Sequence, residues 1–204
     1  MKLKNKIIGL DLSLNGSAYC YTKKKEIYKY GKFQDTSLLE EGSYKNLIER
    51  IRFIHSDLLD LIIDLKHNKT PIVFFIEDTF INQMSVAKSL NYLGAVVRWT
   101  LYNLDMEYYN VSPQSLKSFI TGKAQIVKGK KKELMLKEVY KKYYFDTDDN
   151  DICDAFSLMK FGECFFDNST ALGNHQLESI ERYKIKLMEK QNDKRKIKKP
   201  KQKL

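Results

Sequence analysis

Cysteine is scarce in this chain. There are 3, at Cys20, Cys153 and Cys164, widely spaced and with no CxxC pair. That argues against a disulfide framework and a cysteine-rich zinc site, and it fits a reducing compartment, the cytoplasm. The 3 histidines (His55, His67, His175) have no zinc-ligand spacing either, so a zinc hydrolase is not expected. Long hydrophobic runs are missing. No stretch reaches about 18 consecutive apolar residues, so no membrane-spanning helix and no membrane partner are expected. The first apolar run stops at Asp11, too short for a secretory signal. Glycine is sparse at 9 in 204, and neither G-x-x-x-x-G-K-[ST] nor G-x-G-x-x-G occurs, which removes the phosphate-cradling loops. Residues 146–151 place oxygen-bearing side chains at the first, third and fifth positions of an EF-hand loop. Asp151 then stands where glycine is required and Ser157 where glutamate must close the loop, so that reading fails.

What is present suffices for a folded core: 43% hydrophobic residues, 12% of the chain aromatic. Charge is plentiful and uneven. The formal net charge is +10, and residues 183–204 alone carry +8 of it, so the body is nearly neutral and the tail is a polycation. Such a tail favours a polyanion, nucleic acid first. Only 5 of the 36 basic residues are arginine. A second basic cluster lies inside the body at Lys123, Lys128, Lys130, Lys131, Lys132, Lys137, Lys141 and Lys142. Like charges this close are unfavourable unless something offsets them.

The patterning predicts three antiparallel strands, over 7–13, 17–22 and 26–33, with Asn15-Gly16 and Lys23-Lys24-Lys25 as the turns. Leu47, Ile51, Ile54, Leu58, Leu61 and Leu65 then recur at helical spacing, predicting a helix over 43–67. Ile72-Val73-Phe74-Phe75-Ile76 reads as a central strand covered on both faces. A second long helix follows over 82–104, then a short strand over 106–111. Ser112-Pro113 opens a helical turn by cap-then-proline chemistry. A lysine-rich loop over 123–132 enters a helix ending near 143, Asp151–Phe166 is a helix, and another begins near Gln176 and frays into the tail. This order implies a mixed α/β sheet with helices on both faces.

The candidate chemistry lies in where the acids fall. Asp11 ends one apolar strand and Glu77 another; Asp151 and Asp154 share one face at the start of an apolar helix. If the first and fourth strands are neighbours, these carboxylates converge at one sheet edge, with no nearby cation in the pattern. Such a cluster is unfavourable unless protonated or holding a hard ion such as Mg²⁺ or Mn²⁺. Taken singly, Asp11 reads first as a strand-end turn residue and Asp151 as a helix N-cap; it is their joint occurrence that points to a metal site.

With those residues in place, the chain resembles the RuvC family of Holliday-junction resolvases, of the ribonuclease H-like superfamily, in the divergent form carried by phages of low-GC bacteria. The resemblance covers roughly residues 6–166. Ile8-Gly9-Leu10-Asp11-Leu12-Ser13 with Gly16 is similar to the family's first motif, and Ile76-Glu77 with Phe80 to its second. Ser112-Pro113, Lys117 and Thr121-Gly122 followed by lysines are similar to its basic third region. Asp151-Ile152-Cys153-Asp154-Ala155 is similar to its closing D-x-x-D-A motif.

The resemblance implies a five-stranded sheet, three antiparallel strands followed by two parallel ones. It implies that Asp11, Glu77, Asp151 and Asp154 hold two Mg²⁺ ions, replaceable by Mn²⁺, for phosphodiester hydrolysis that leaves 5′-phosphate ends. Lys117 would lie near the scissile phosphate. A second catalytic-site lysine would be Lys131, with Lys130 and Lys132 as close rivals because the chain carries a short insertion there. Phe80 would wedge into the junction, and Lys123, Lys128, Lys130, Lys131 and Lys132 would follow the DNA. The implied assembly is a homodimer with the 82–104 helix in the contact.

These readings divide the chain into a nuclease domain over 1–170 and a basic helical or disordered tail over 171–204. The tail and the lysine-rich insertion add phosphate contacts that carry no sequence information, so weaker junction selectivity is expected than in a strict resolvase. The nearest alternative is therefore a broader branched-DNA endonuclease acting on flaps, forks and replication intermediates. A sugar-kinase-like phosphotransferase, whose first hairpin also reads strand-Asp-Gly, needs a second domain and phosphate loop for which there is no room. A catalytically dead DNA-binding module would lack one of the acids, and none is missing.

Overall fold

The apolar run at 72–76 becomes β4 (Ile72–Glu77), inside a sheet with neighbours on both sides. The computed structural model describes residues 5–24, 27–33, 44–66, 70–78, 86–123 and 131–197. In chain order the elements are β1 (Lys6–Asp11), β2 (Ala18–Lys24), β3 (Ile27–Lys32), α1 (Tyr44–Lys66), β4 and α2 (Val86–Asn103). There follow β5 (Glu107–Val111), α3 (Pro113–Thr121), α4 (Lys131–Tyr143), α5 (Asn150–Phe166), a 3-10 turn at Asn168–Thr170 and α6 (Asn174–Ile197). The sheet order is β3-β2-β1-β4-β5. The β1–β2 and β2–β3 pairs are antiparallel, and β1–β4 and β4–β5 are parallel. This is the arrangement expected from the sequence.

Strand side chains alternate between the two faces of a sheet, and each face carries its own core. Ile8, Leu10, Phe74 and Ile76 point to the side covered by α1 and α2, against Ile54, Leu58, Leu93 and Val97. Ile7, Ala18, Cys20, Val73, Phe75 and Val111 point to the other side, against α3, α4, α5 and α6. Asp11 has the parity of Ile7, and Glu77 that of Val73 and Phe75. Both carboxylates therefore belong to the α5 side.

Two glycines set the distance of α5 from the sheet. A Cβ on Gly9 would lie 1.9 Å from the Ala155 carbonyl oxygen, so strand and helix backbones touch there. A Cβ on Gly162 would lie 2.5 Å from both Ile7 Cγ2 and Phe75 Cδ2. The start of α5 is thereby pressed against the end of β1.

Several local readings change. Residues 23 and 24 are not a turn: β2 continues through Lys24, with a register irregularity between Thr22 and Lys24 that lets the pair extend. The N-cap of α5 is Asp149, not Asp151; its carboxylate accepts from the Asp151 and Ile152 backbone N–H groups at 2.9 and 3.1 Å. That leaves the Asp151 side chain free of capping. The last helix starts at Asn174 and runs to Ile197. Its first half buries Ile180 and Tyr183 in the α5-side core, and the Tyr183 hydroxyl donates to the Asn110 carbonyl at 2.9 Å. No helix among the described residues is long and apolar enough to cross a membrane.

Candidate active site

One row across the sheet builds the site. Asp11 pairs with Ala18, Ala18 with Lys32, and Glu77 with Val111; Leu10 pairs with Ile76, which sets Asp11 beside Glu77. The row thus reads Val111, Glu77, Asp11, Ala18, Lys32, all on the face covered by α5. Ala18 is itself fully buried in the α5-side core. The turn after Asp11 is stitched locally. Ser17 Oγ donates to the Ser13 carbonyl at 2.7 Å and accepts from the Ser13 N–H at 3.0 Å.

The acids feel one another strongly. Asp11 is only 7% exposed, and burial, then Glu77, Asp154 and Asp151 in turn, hold its carboxyl well above the usual carboxylate range. Burial and Asp154 push Glu77 up to about 7, against the pull of Lys117. Burial pushes Asp154 up to about 6, with Lys117 and then Lys132 opposing and Asp151 reinforcing. These are like charges crowded in a poorly solvated place, each disfavouring ionisation of the next.

Lys117 reaches the cluster because α3 starts directly beyond β5. Ser112 caps it, its Oγ accepting from the Ser115 N–H at 3.1 Å, with proline in the first turn. The helix ends at Gly122, whose φ of 72° is the left-handed conformation that glycine tolerates.

Asp151 stands apart. Its Oδ2 lies 2.9 Å from Lys32 Nζ, which also meets Asp149 Oδ2 at 2.8 Å. Lys32 is the residue that sequence reasoning missed, along with the capping role of Asp149. A signal for it exists: Tyr28, Tyr30 and Lys32 alternate onto one face of β3, and both tyrosines pack on Phe145 over the α5-side core. Among so many lysines the pattern carried no weight.

Of the remaining sequence-predicted residues, Lys123 and Lys132 are exposed at the end of α3 and the start of α4. Lys131 opens α4, and its side chain lies outside the described residues, as do Phe80, Lys128 and Lys130. Among the described residues no three His, Cys, Asp or Glu side chains close on a single point. The donor chemistry nevertheless fits a hard divalent cation. Asp11, Glu77, Asp151 and Asp154 offer carboxylate oxygens, and the repulsion among them is the kind that such an ion relieves.

A mixed sheet of this order, with an acid ending each of its two central strands and helices on both faces, defines the ribonuclease H-like class of fold. Within that class the chain has a RuvC-like fold. It is similar to the Thermus thermophilus RuvC structure, with a TM-score of 0.53 at 17% identity, over 76% of this chain and 90% of that one. It is likewise similar to T. thermophilus RuvC in complex with a Holliday junction substrate, with a TM-score of 0.53 at 14% identity and the same coverage. No protein-family model matches the chain, and no curated protein sequence does.

Proposed function

We propose that this chain is a divalent-metal-dependent, structure-selective endodeoxyribonuclease that resolves four-way DNA junctions. The observation that supports this reading is that Asp11 and Glu77 end two adjacent strands and that their carboxyls and that of Asp154, in the first turns of the covering helix, are close enough to raise one another's pKa. The likeness to a structure in complex with a Holliday junction supports the substrate class. Asp11, Glu77, Asp154 and Asp151 would hold two Mg²⁺ ions, or Mn²⁺ in their place. Bound there, the ions supply Lewis-acid polarisation of the scissile phosphate and a water of lowered pKa, leaving a 5′-phosphate.

The chain's own groups do the rest. Asp11 and Glu77, held by the sheet, set the position of the cluster. Lys117 offers positive charge to the scissile phosphate from the α3 side, with Lys131 or its neighbours Lys130 and Lys132 as the second such group. Phe80 stacks at the branch point. Lys123, Lys128, Lys130, Lys131 and Lys132 follow the backbone phosphates.

A homodimer is part of this reading. Tyr92, Trp99 and Tyr102 are 49%, 65% and 74% exposed along one side of α2, and exposed aromatic stripes mark interaction surfaces. Replacing Trp99 by Glu is expected to convert the dimer to monomer in sedimentation velocity runs. An unchanged sedimentation coefficient removes α2 from the interface. The nuclease domain over 1–170 and action in the cytoplasm belong to the same proposal, with the first half of α6 packed onto that domain and the basic tail following it.

The tail favours a second reading. With +8 beyond residue 182, binding to any duplex is strengthened, and the enzyme then acts on flaps and forks as well. One experiment separates the two. A labelled four-way junction, a flap and a linear duplex are incubated with Mg²⁺ and the wild type or Asp11→Asn. Paired symmetric nicks on the junction alone are expected of a resolvase, and cutting of all branched substrates indicates the broader nuclease. The variant is expected to lose more than about 100-fold in rate, beyond what a residue supporting a metal ligand gives up. No cutting in Mg²⁺ or Mn²⁺ sinks the catalytic reading.

A further inference from the structure

Lys32 has no place in the reaction as described, yet among the described residues it is the cation in direct contact with one of the four acids. It arrives from β3, the edge strand, along the same cross-strand row that carries Asp11 and Glu77. Its ammonium bridges Asp149 Oδ2 at 2.8 Å and Asp151 Oδ2 at 2.9 Å. The Lys32 side chain passes over Gly16: a Cβ there would lie 2.8 Å from Lys32 Cε, 3.0 Å from its Nζ and 3.5 Å from Asp151 Oδ2, so a side chain at position 16 would press on the lysine tip. The three charged side chains are 28–38% exposed, so water and incoming ions reach the bridge. Asp149 has a second task, capping α5 through its other oxygen, and stays fixed whichever way Lys32 points. Asp151 has no such anchor and is held by Lys32.

We propose that Lys32 is a built-in counter-ion of the acidic site. It occupies Asp151 in the metal-free protein, competes there with the divalent ion on the exposed side of the cluster, and gives the carboxylate up when that ion and DNA arrive. This rests on the metal-dependent reading above. The opposing charge that Lys32 presents to Asp151 is one that a divalent cation must displace, so the second ion binds more weakly than the carboxylates alone would allow. Exposed ion pairs are weak enough for such an exchange. The released ammonium stays at the rim of the cluster, free to pass its charge from Asp151 to a phosphate of the bound DNA. The consequence is an enzyme whose second metal site fills readily only when DNA is present.

The test is calorimetric titration of Mn²⁺ into the full-length, DNA-free protein at neutral pH. Wild type is compared with Lys32→Met and Lys32→Arg. Lys32→Gln, which keeps a hydrogen-bond donor without charge, serves if Lys32→Met fails to fold. Competition predicts that removing the charge tightens the weaker Mn²⁺ site at least about fivefold, the low end of coupling between ligands that share a site. Lys32→Arg is expected to stay near wild type. A structural brace predicts the opposite, since Asp151 would lose its anchor. Equal or weaker Mn²⁺ affinity in the uncharged variants therefore overturns the proposal while leaving the metal reading intact. Absence of Mn²⁺ binding in wild type and variants alike overturns both.

Discussion

Glu77 and Asp154 show how one carboxylate changes the meaning of another. In the unfolded chain they titrate near 4.5 and 3.8; in the fold, burial first, then Asp154 acting on Glu77 and Asp151 acting on Asp154, raise them to about 7 and about 6. A raised carboxylate pKa means that the native state holds protons which the unfolded state has released. The native state is therefore favoured below the unfolded values, and that advantage is lost as pH rises from about 4 to about 7. The melting temperature of the EDTA-treated protein is expected to fall across this window, and to fall less in Glu77→Gln. Saturating Mg²⁺ is expected to flatten the slope, because an ion that binds only the ionised native site stabilises it by mass action. Differential scanning calorimetry at several pH values checks both statements. A slope unchanged by Mg²⁺ would count against metal binding at this cluster.

Elements position these residues with little tolerance. The α5 helix is apolar along most of its length, with Cys153, Ala155, Phe156, Leu158, Met159 and Phe161 buried. Its polar start is what meets the sheet edge. The approach of the Ala155 carbonyl to Gly9 leaves no room for a methyl group. Gly9→Ala is expected to destabilise the protein by about 3 kcal/mol, the upper part of the usual overpacking range. It should also reduce cleavage, since Asp154 moves off with the helix. Urea denaturation measures the first effect and the junction assay the second. Loss of activity with unchanged stability would mean that α5 adjusts elsewhere.

The whole molecule combines a nearly neutral, close-packed body with a basic end. Among the described side chains, the last that α6 contributes to the α5-side core are Tyr183, buried, and Leu187, partly so. Deleting residues 192–204 removes seven basic residues and one acidic one from beyond that point. The melting temperature is expected to hold, while affinity for any duplex falls. Its salt dependence becomes shallower by about 0.9 in the log–log slope for each phosphate that the shortened chain no longer neutralises. Fluorescence anisotropy at several salt concentrations tests this. An unchanged slope means that the tail does not touch DNA.

Local chemistry made much of this protein readable from its sequence. Apolar runs, the Ser112-Pro113 start of α3 and the period of α1 each depend on neighbours in the chain, so strands, helices and their order followed from pattern. The acids at 11, 77, 151 and 154 stood out because the first two end apolar strands and the last two share a face at the start of an apolar helix. That Asp149 and not Asp151 caps α5 was not readable, since residues two apart compete for the same turn and only backbone geometry chooses. Lys32 was not readable either. Its partners lie more than a hundred residues away, and they become partners only because β1 pairs with β2, β2 with β3, and α5 crosses all three. Neighbours along the chain were enough for the elements and for the acidic character of the site. Which charges meet depends on the fold, because a charge is paired or repelled by what lies a few ångströms away in space, whatever its distance along the chain.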